Sequence, residues 1–231
     1  MGELITYPSN GAAGEGWLDT PFETSTAGLV VIQEWWGLNG NVKEIASRFS
    51  NRGFLALAPD LYHGELTAEP DEAQKLMMAL DIGRAAKDLT GAVDELQRRG
   101  CTKVGVIGFC MGGGLALWLA SLRSDVAAVA PFYGLIPWEA AQPDYGNVKA
   151  AVQGHYGEND DSAGPAAVAE LESTLRAAGV SDVEMFVYPG AQHAFFNDTR
   201  PEVFDAEASA LAWDRVLDFF TDKLGATNPR S

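Results

Sequence analysis

One cysteine lies where a strand turns sharply into a helix, and its thiol could act as a nucleophile. Cys110 is the central residue of the segment GFCMG at 108–112, which follows the short apolar run 104–107 and precedes a helical pattern. Glycines two residues to either side of a nucleophile remove Cβ atoms that would clash in a strained turn. The pattern predicts a nucleophile elbow that carries a thiol in place of a hydroxyl.

A thiol nucleophile needs a base for its proton, and the base needs a carboxylate that orients it. His193 follows the last predicted strand, and Asp160 follows the strand before it. Both therefore lie at the carboxyl edge of the sheet, where Cys110 also lies. The chain order of nucleophile, acid and base is the order found in α/β-hydrolases. Asp161 and Glu158 remain alternatives to Asp160, because chain order does not exclude them.

The other cysteine and the other two histidines have ordinary structural interpretations. Cys101 precedes the elbow strand at its opposite end, His63 lies in a loop, and His155 lies inside or at the end of a strand. No two histidines have metal-ligand spacing, and no glycine-rich nucleotide-binding motif occurs. The sequence predicts neither a metal site nor a nucleotide site.

A second group of polar and aromatic residues follows the first buried strand. The segment QEWWGLN at 33–39 stands where an α/β-hydrolase places its second oxyanion donor. The two donors are then the backbone N–H groups of Met111 and Trp35, and each contributes about 3 kcal/mol to lowering the barrier. Glu34 is predicted to point into the same site.

The overall composition is ordinary for a soluble globular protein. The chain has 231 residues, of which 47% are hydrophobic and 21% charged, so we expect residues 1–231 to form one domain. The net charge of −16 argues against nucleic acid and against an anionic membrane as partners. No apolar run could span a bilayer, no signal peptide begins the chain, and cysteine is scarce. These features favour a cytoplasmic protein.

Buried strand patterns alternate with helical periodicity along the chain. Strands are predicted at 4–7, 16–22, 28–33, 53–58, 104–107, 126–132, 150–156 and 183–188. Helices are predicted at 39–52, 71–80, 81–99, 115–120, 164–178 and 201–224. This alternation predicts an α/β fold with a mostly parallel sheet, helices on both faces and a short antiparallel N-terminal edge.

Taken together, these motifs resemble those of the dienelactone hydrolase family, the carboxymethylenebutenolidases. The resemblance extends over nearly the whole chain and includes APDLY at 58–62, GEND at 157–160 and HAF at 193–195. It implies an α/β-hydrolase domain, a Cys110–His193–Asp160 triad and no cofactor. It also implies that the resting thiol is neutral and turned toward Glu34. Substrate then displaces the glutamate, which helps to take the thiol proton, and an acyl-thioester forms.

The chain departs from the family at the groups that bind a substrate carboxylate. Family enzymes that act on dienelactone use two arginines, and the corresponding positions are Pro70 and Asn197 here. Losing a charge-assisted clamp costs a few kcal/mol of anion binding, and Arg200 and Arg84 are the remaining candidates for that role. We therefore predict a preference for neutral or weakly charged esters and lactones over the dienelactone anion.

The substrate pocket is predicted from aromatic and polar residues that follow strands. The candidates are Trp36, Tyr62, Met77, Tyr133, Phe195 and Asn197. Tyr133 is almost as compatible with a place in the core. We expect the partner to be a small-molecule ester or lactone, and the protein to be a monomer or a weak homodimer.

Two other functions remain open at this stage. One is a catalytically silent α/β-hydrolase that serves as a binding protein, although a binder has no need of Cys, Asp and His together. The other is a thiol redox protein that uses Cys110. Its resolving cysteine would be Cys101, which lies roughly 20 Å away across a buried strand, far beyond disulfide reach.

Overall fold

A mixed sheet forms the centre of the protein. The computed structural model describes residues 2–134 and 136–226. Within these residues one eight-stranded sheet has the order β1-β2-β4-β3-β5-β6-β7-β8. The strands are β1 Gly2–Ser9, β2 Ala12–Asp19, β3 Ala27–Ile32, β4 Leu55–Pro59, β5 Lys103–Phe109, β6 Val126–Phe132, β7 Ala151–Gly157 and β8 Val183–Tyr188. The helices are α1 Gly40–Ser50, α2 Pro70–Met78, α3 Ile82–Arg98, α4 Met111–Leu122, α5 Pro165–Ala177 and α6 Ala206–Leu224.

Strand direction in the sheet changes only near the N-terminal edge. β1 pairs antiparallel with β2, and β2 pairs antiparallel with β4. The strands from β4 across to β8 are all parallel. The predicted fold class is therefore confirmed, including its antiparallel N-terminal edge. No helix among residues 2–134 and 136–226 has the length and apolar character needed to cross a bilayer.

Each face of the sheet is covered by helices that bury their apolar side. On one face Leu89 of α3 and Leu115 of α4 belong to a buried cluster with the sheet. On the other face Phe49 of α1 packs edge-on against Phe220 of α6, with ring centroids 5.9 Å apart. Because both faces are covered, β3 and β5 are almost wholly buried, as the continuous apolar runs predicted. Loops at the carboxyl ends of the parallel strands remain open for a site.

Two predicted elements run three or more residues beyond their bounds in the structure. The second strand ends at Asp19 rather than at residue 22, because Pro21 offers no N–H for pairing. The last helix begins at Ala206 rather than at residue 201, where Asp205 caps it by accepting the Ala208 N–H at 3.0 Å. Residues 201–205 form turns instead, and Val203 and Phe204 both donate to the carbonyl of Arg200. All described strands share one sheet, and one domain over 1–231 stays a prediction.

Candidate active site

The turn between β5 and α4 holds Cys110 in a strained backbone conformation. Its φ of 54° and ψ of −120° are sparsely populated by residues with a side chain. The Cys110 N–H donates to the carbonyl of Phe132 at 3.1 Å, which ties the turn to β6. A Cβ on Gly108 would overlap the carbonyl oxygen of Gly112, so the turn can close only with glycine at 108. This geometry presents the thiol beyond the carboxyl end of β5.

His193 and Asp160 meet at the same edge of the sheet. The Nδ1 atom of His193 lies 2.8 Å from Oδ2 of Asp160. The other carboxylate oxygen accepts the backbone N–H groups of Ser162 at 2.8 Å and Ala163 at 2.9 Å. Burial opposes ionisation of this carboxyl, but the bonds to His193 and to the two N–H groups outweigh it and lower the pKa of Asp160. The alternative acid, Glu158, instead accepts the N–H of Gly190 at 2.9 Å.

The imidazole of His193 lies between a carboxylate and a thiol. Burial disfavours its charged form, yet hydrogen bonds to Asp160 and Cys110 outweigh burial and raise the pKa of His193 to about 10. The ring of Tyr133 packs edge-on against the imidazole, with centroids 5.0 Å apart. The histidine is therefore fixed in orientation and is held next to the one thiol at the open edge.

Glu34 is buried behind the thiol and is bound through both of its oxygens. The hydroxyl of Tyr133 donates to Oε1 at 3.1 Å, and the side-chain amide of Asn197 donates to Oε2 at 2.8 Å. Burial raises the pKa of Glu34, and these two donors act against that rise. The family resemblance places the resting thiol against this glutamate. That orientation of the thiol stays a prediction, and Cys110 lines the inner edge of the cleft together with both Glu34 and His193.

Two adjoining cavities open over these residues. The inner cavity, of about 190 Å³, is lined by Glu34, Trp35, Trp36, Met77, Cys110, Ser162, His193, Ala194 and Arg200. The outer cavity, of about 310 Å³, is lined by Trp36, Asn39, Thr67, Ala68, Pro70, Thr199, Arg200 and Glu202. Trp36 and Arg200 belong to both walls, so the two cavities meet at this pair. Together they form a cleft that leads to the thiol.

Comparison with known proteins matches the chain to one family. The profile described as "Dienelactone hydrolase family" matches residues 15–224. The chain belongs to the dienelactone hydrolase family. It is 36% identical to "Protein usf" of Aquifex pyrophilus, over 97% of this chain and 100% of that protein. It is 34% identical to the "Putative carboxymethylenebutenolidase" of Aquifex aeolicus strain VF5, over 95% of this chain and 98% of that protein.

A solved structure shares the fold over nearly the whole chain. The crystal structure of "Putative Dienelactone Hydrolase from Klebsiella pneumoniae subsp. pneumoniae MGH 78578" superposes with a TM-score of 0.85 at 26% identity. The match covers 96% of this chain and 98% of that one. The protein is thus an α/β-hydrolase of the dienelactone hydrolase family, and it is an enzyme that hydrolyses ester or lactone bonds.

Four residues predicted to line the pocket of this family member lie behind its wall. Tyr133 and Asn197 reach Glu34, as described above, rather than the cavity. The Tyr62 hydroxyl lies 3.4 Å from the sulfur of Met111, underneath the elbow. Phe195 is fully buried and packs against Tyr188, with ring centroids 5.0 Å apart. These four side chains do not line the inner or the outer cavity, and their contact with substrate stays a prediction.

Three residues of the inner wall were not among the predicted lining residues. Ser162 and Ala194 are close neighbours of Asp160 and His193 in the chain, so their adjacency was the available signal. Arg200 was considered only as a substitute clamp, and it lines both cavities. Arg84 does not reach this cleft, because its guanidinium binds both oxygens of the buried Asp88.

The described part of the chain holds no cluster of three or more His, Cys, Asp or Glu side chains that could bind a metal ion. The two cysteines are both free and buried. Cys101 lies before β5, and Cys110 lies after it, so the length of that strand separates the two thiols. Burial also raises the pKa of Cys101 to about 11, which disfavours its thiolate. The chemistry of the cleft therefore centres on Cys110.

Proposed function

We propose that this family member hydrolyses neutral or weakly charged esters and lactones through an acyl-thioester on Cys110. The observation that carries the proposal is the pairing of His193 with Asp160 at 2.8 Å, in a cavity that His193 lines together with Cys110 at its strained elbow. A nucleophile, a base within reach of it and an orienter of that base are the three parts that covalent acyl transfer needs.

In the first half of the reaction His193 takes the proton of the Cys110 thiol, the resulting thiolate attacks the carbonyl carbon, and the carbonyl electron pair moves onto oxygen. The backbone N–H groups of Met111 and Trp35 donate to that oxyanion. Met111 is the first residue of α4, so its N–H has no acceptor within the helix and lies at the positive end of the helix dipole. The tetrahedral intermediate then expels the alcohol oxygen, which takes a proton from His193, and the thioester remains.

The second half of the reaction uses the same groups. His193 takes a proton from a water molecule, whose oxygen attacks the thioester carbon, and the oxyanion forms again at Met111 and Trp35. Collapse of this intermediate releases the acid and restores the thiolate. A ring-opened lactone leaves as one product, because its alcohol and acid stay joined.

Glu34 is proposed as a second acceptor for the thiol proton. It lines the inner cavity, and its carboxylate lies in a buried place where burial raises its pKa. A group with a raised pKa is a better proton acceptor than an exposed carboxylate. To reach the thiol, Glu34 has to leave Tyr133 or Asn197, and substrate entering the cavity supplies that displacement.

Ester hydrolysis by wild type, Cys110→Ala and Cys110→Ser tests the nucleophile, with p-nitrophenyl acetate as substrate. We expect Cys110→Ala to lose about 10³-fold or more of kcat. Cys101→Ala is the matched control, since it removes the other buried thiol at a distance from the cleft. Mass spectrometry of quenched wild type should show an acyl group on Cys110. Equal rates in wild type and Cys110→Ala would contradict Cys110 as the nucleophile.

The preference for uncharged substrates follows from how the arginines are engaged. Arg84 is bound to Asp88, and Arg200 donates from Nε to Glu202 at 2.8 Å. Pro70 and Asn197, which stand at the family's arginine positions, carry no charge. Comparing kcat/KM for dienelactone and for a short p-nitrophenyl ester measures the preference. A large advantage for dienelactone would contradict the proposal.

Three further features stay predictions of the sequence. These are a cytoplasmic location, a monomer or weak homodimer, and activity without a cofactor. The location can be measured by fractionation of source cells, and the oligomeric state by light scattering of the purified protein. Activity after exhaustive chelation tests the need for a metal cofactor.

A further inference from the structure

The two cavities share a wall that carries an ion pair. The guanidinium carbon of Arg200 lies 5.5 Å from the centre of the Trp36 ring, and its Nε donates to Glu202 at 2.8 Å. Arg200 contributes to both cavities, and Glu202 contributes to the outer one. Any substrate that extends from the thiol into the outer cavity must pass this pair.

The charges along the cleft do not favour a substrate anion. Within the described residues that line the two cavities, Arg200 is the one arginine or lysine. A carboxylate that approaches it meets Glu202 in the outer cavity and Glu34 in the inner one. Glu202 already accepts a bond from the guanidinium, so the substrate would have to compete with it. The incoming group therefore meets, in the outer cavity, a carboxylate and a guanidinium that are already paired with each other.

We propose that Glu202 is the specificity-determining residue that sets the charge preference of this cleft. Its carboxylate binds the Arg200 guanidinium where a substrate carboxylate would otherwise bind, and it adds a negative charge to the wall of the outer cavity. This inference rests on the proposed ester hydrolysis and names the residue responsible for its substrate class. A neutral ester leaves the pair intact, whereas an anionic ester has to break it.

The Arg200–Glu202 ion pair is partly exposed to solvent, so a substitution at Glu202 can break it and change the charge preference. The side chains of Arg200 and Glu202 are 32% and 59% exposed. Exposed ion pairs are weak, so removing Glu202 should leave the fold intact while releasing the guanidinium. The turn that carries Arg200 is held separately, because Arg200 N–H donates to the carbonyl of Asn197 at 3.1 Å.

The test compares two esters that differ only in charge, 4-acetoxybenzoate and 4-acetoxybenzamide. A second pair with the charge on the acyl side, monophenyl glutarate and phenyl glutaramate, covers the opposite substrate orientation. We expect Glu202→Gln to raise the ratio of kcat/KM for the anionic over the neutral ester about five- to tenfold in at least one pair. In Glu202→Gln/Arg200→Gln the gain should disappear, because it requires the released guanidinium.

Glu172→Gln is the matched control. Glu172 also accepts from an arginine at 2.8 Å, Arg176 on α5, and it lines neither cavity. This variant changes net charge equally, so an equal change in the ratio would overturn the proposal. An unchanged ratio in Glu202→Gln would overturn it too, while Cys110-dependent turnover of either ester would leave the proposed function standing.

Binding provides a readout that does not need turnover. Calorimetry of 4-acetoxybenzoate and 4-acetoxybenzamide with Cys110→Ala, with and without Glu202→Gln, measures the same selectivity. A five- to tenfold tighter binding of the anion in the double variant would support the role of Glu202 even if hydrolysis failed. Equal affinities in both proteins would overturn it.

Discussion

At the scale of single residues, the chemistry depends on which partner holds each titratable group. Asp160 binds Nδ1 of His193, so the second ring nitrogen is the one that can serve the thiol of Cys110. Asp160 is itself fixed by two backbone N–H groups, which orient the carboxylate without competing for the histidine. The imidazole is thereby given one orientation and one proton-transfer partner.

The pKa of His193 should fall when the thiol is replaced. Cys110 raises that pKa through a hydrogen bond and through its charge, and a serine hydroxyl at 110 supplies no charge near neutral pH. We therefore expect the His193 ring to titrate below pH 10 in Cys110→Ser, followed by NMR of the ring nitrogens. Cys101→Ser is the control. An unchanged His193 titration in Cys110→Ser would mean that the thiol does not interact with the imidazole.

The hydroxyl of Tyr133 should set the ionisation of Glu34. Its bond favours the carboxylate, so Tyr133→Phe should raise the pKa of Glu34 further. If ionised Glu34 is needed, the acid limb of the kcat/KM profile then moves to higher pH. Tyr7→Phe is a matched control, because it also removes a buried hydroxyl bond of 3.1 Å, to the Asp88 carbonyl. If the acid limb of the kcat/KM profile lies at the same pH in Tyr133→Phe as in wild type, ionised Glu34 is not needed for the reaction.

At the scale of elements, the order of strands brings the site together. Cys110, Asp160 and His193 follow β5, β7 and β8, whose carboxyl ends share one edge of the sheet. Element type and order could be predicted, because apolar runs and helical periodicity are local signals. The last helix was placed five residues early, since its cap at Asp205 depends on a turn that composition does not mark.

The pocket lining was less predictable than the triad. The nucleophile, acid and base stand at fixed places relative to strand ends, so chain position was enough to nominate them. Whether a loop side chain faces the cavity depends on loop backbone and on packing. Phe195 and Tyr133 turned into the core, whereas Arg200 reached the cleft because turns after Asn197 carry it there.

The elbow should fail when its glycine gains a side chain. A Cβ at Gly108 would overlap the backbone carbonyl of Gly112, and backbone cannot move aside as a flexible side chain can. We expect Gly108→Ala to destabilise the protein by about 3 kcal/mol and to abolish esterase activity, measured by urea unfolding and by turnover. Gly40→Ala is the control, because a Cβ at that position meets no atom within 4 Å. Normal activity in Gly108→Ala would show that the turn can relax.

At the scale of the whole molecule, net charge and ionisable groups buried away from the cleft bear on solubility and stability rather than on catalysis. Thirty-two acidic residues against sixteen basic ones give the net charge of −16, which promotes solubility rather than a particular fold. Several ionisable groups are buried outside the cleft. One of them is His155 on β7, which is fully buried, hydrogen-bonded to Tyr188 at 2.8 Å and stacked on Phe132. These partners are all residues of the core, so we expect a change at His155 to affect the stability of the fold rather than catalysis.

His155 should make the protein sensitive to acid. Burial, with a smaller effect of Arg215, lowers its pKa to about 3 from 6.5, so the folded state holds it neutral while the unfolded state binds a proton below pH 6.5. Its contribution to stability is therefore complete above pH 6.5 and is lost as pH falls toward 3, at about 1.4 kcal/mol per pH unit. Between pH 7.5 and 5, His155→Gln should lose about 2 kcal/mol less than wild type in urea unfolding. Equal losses in wild type and His155→Gln would mean that His155 is not the group that titrates.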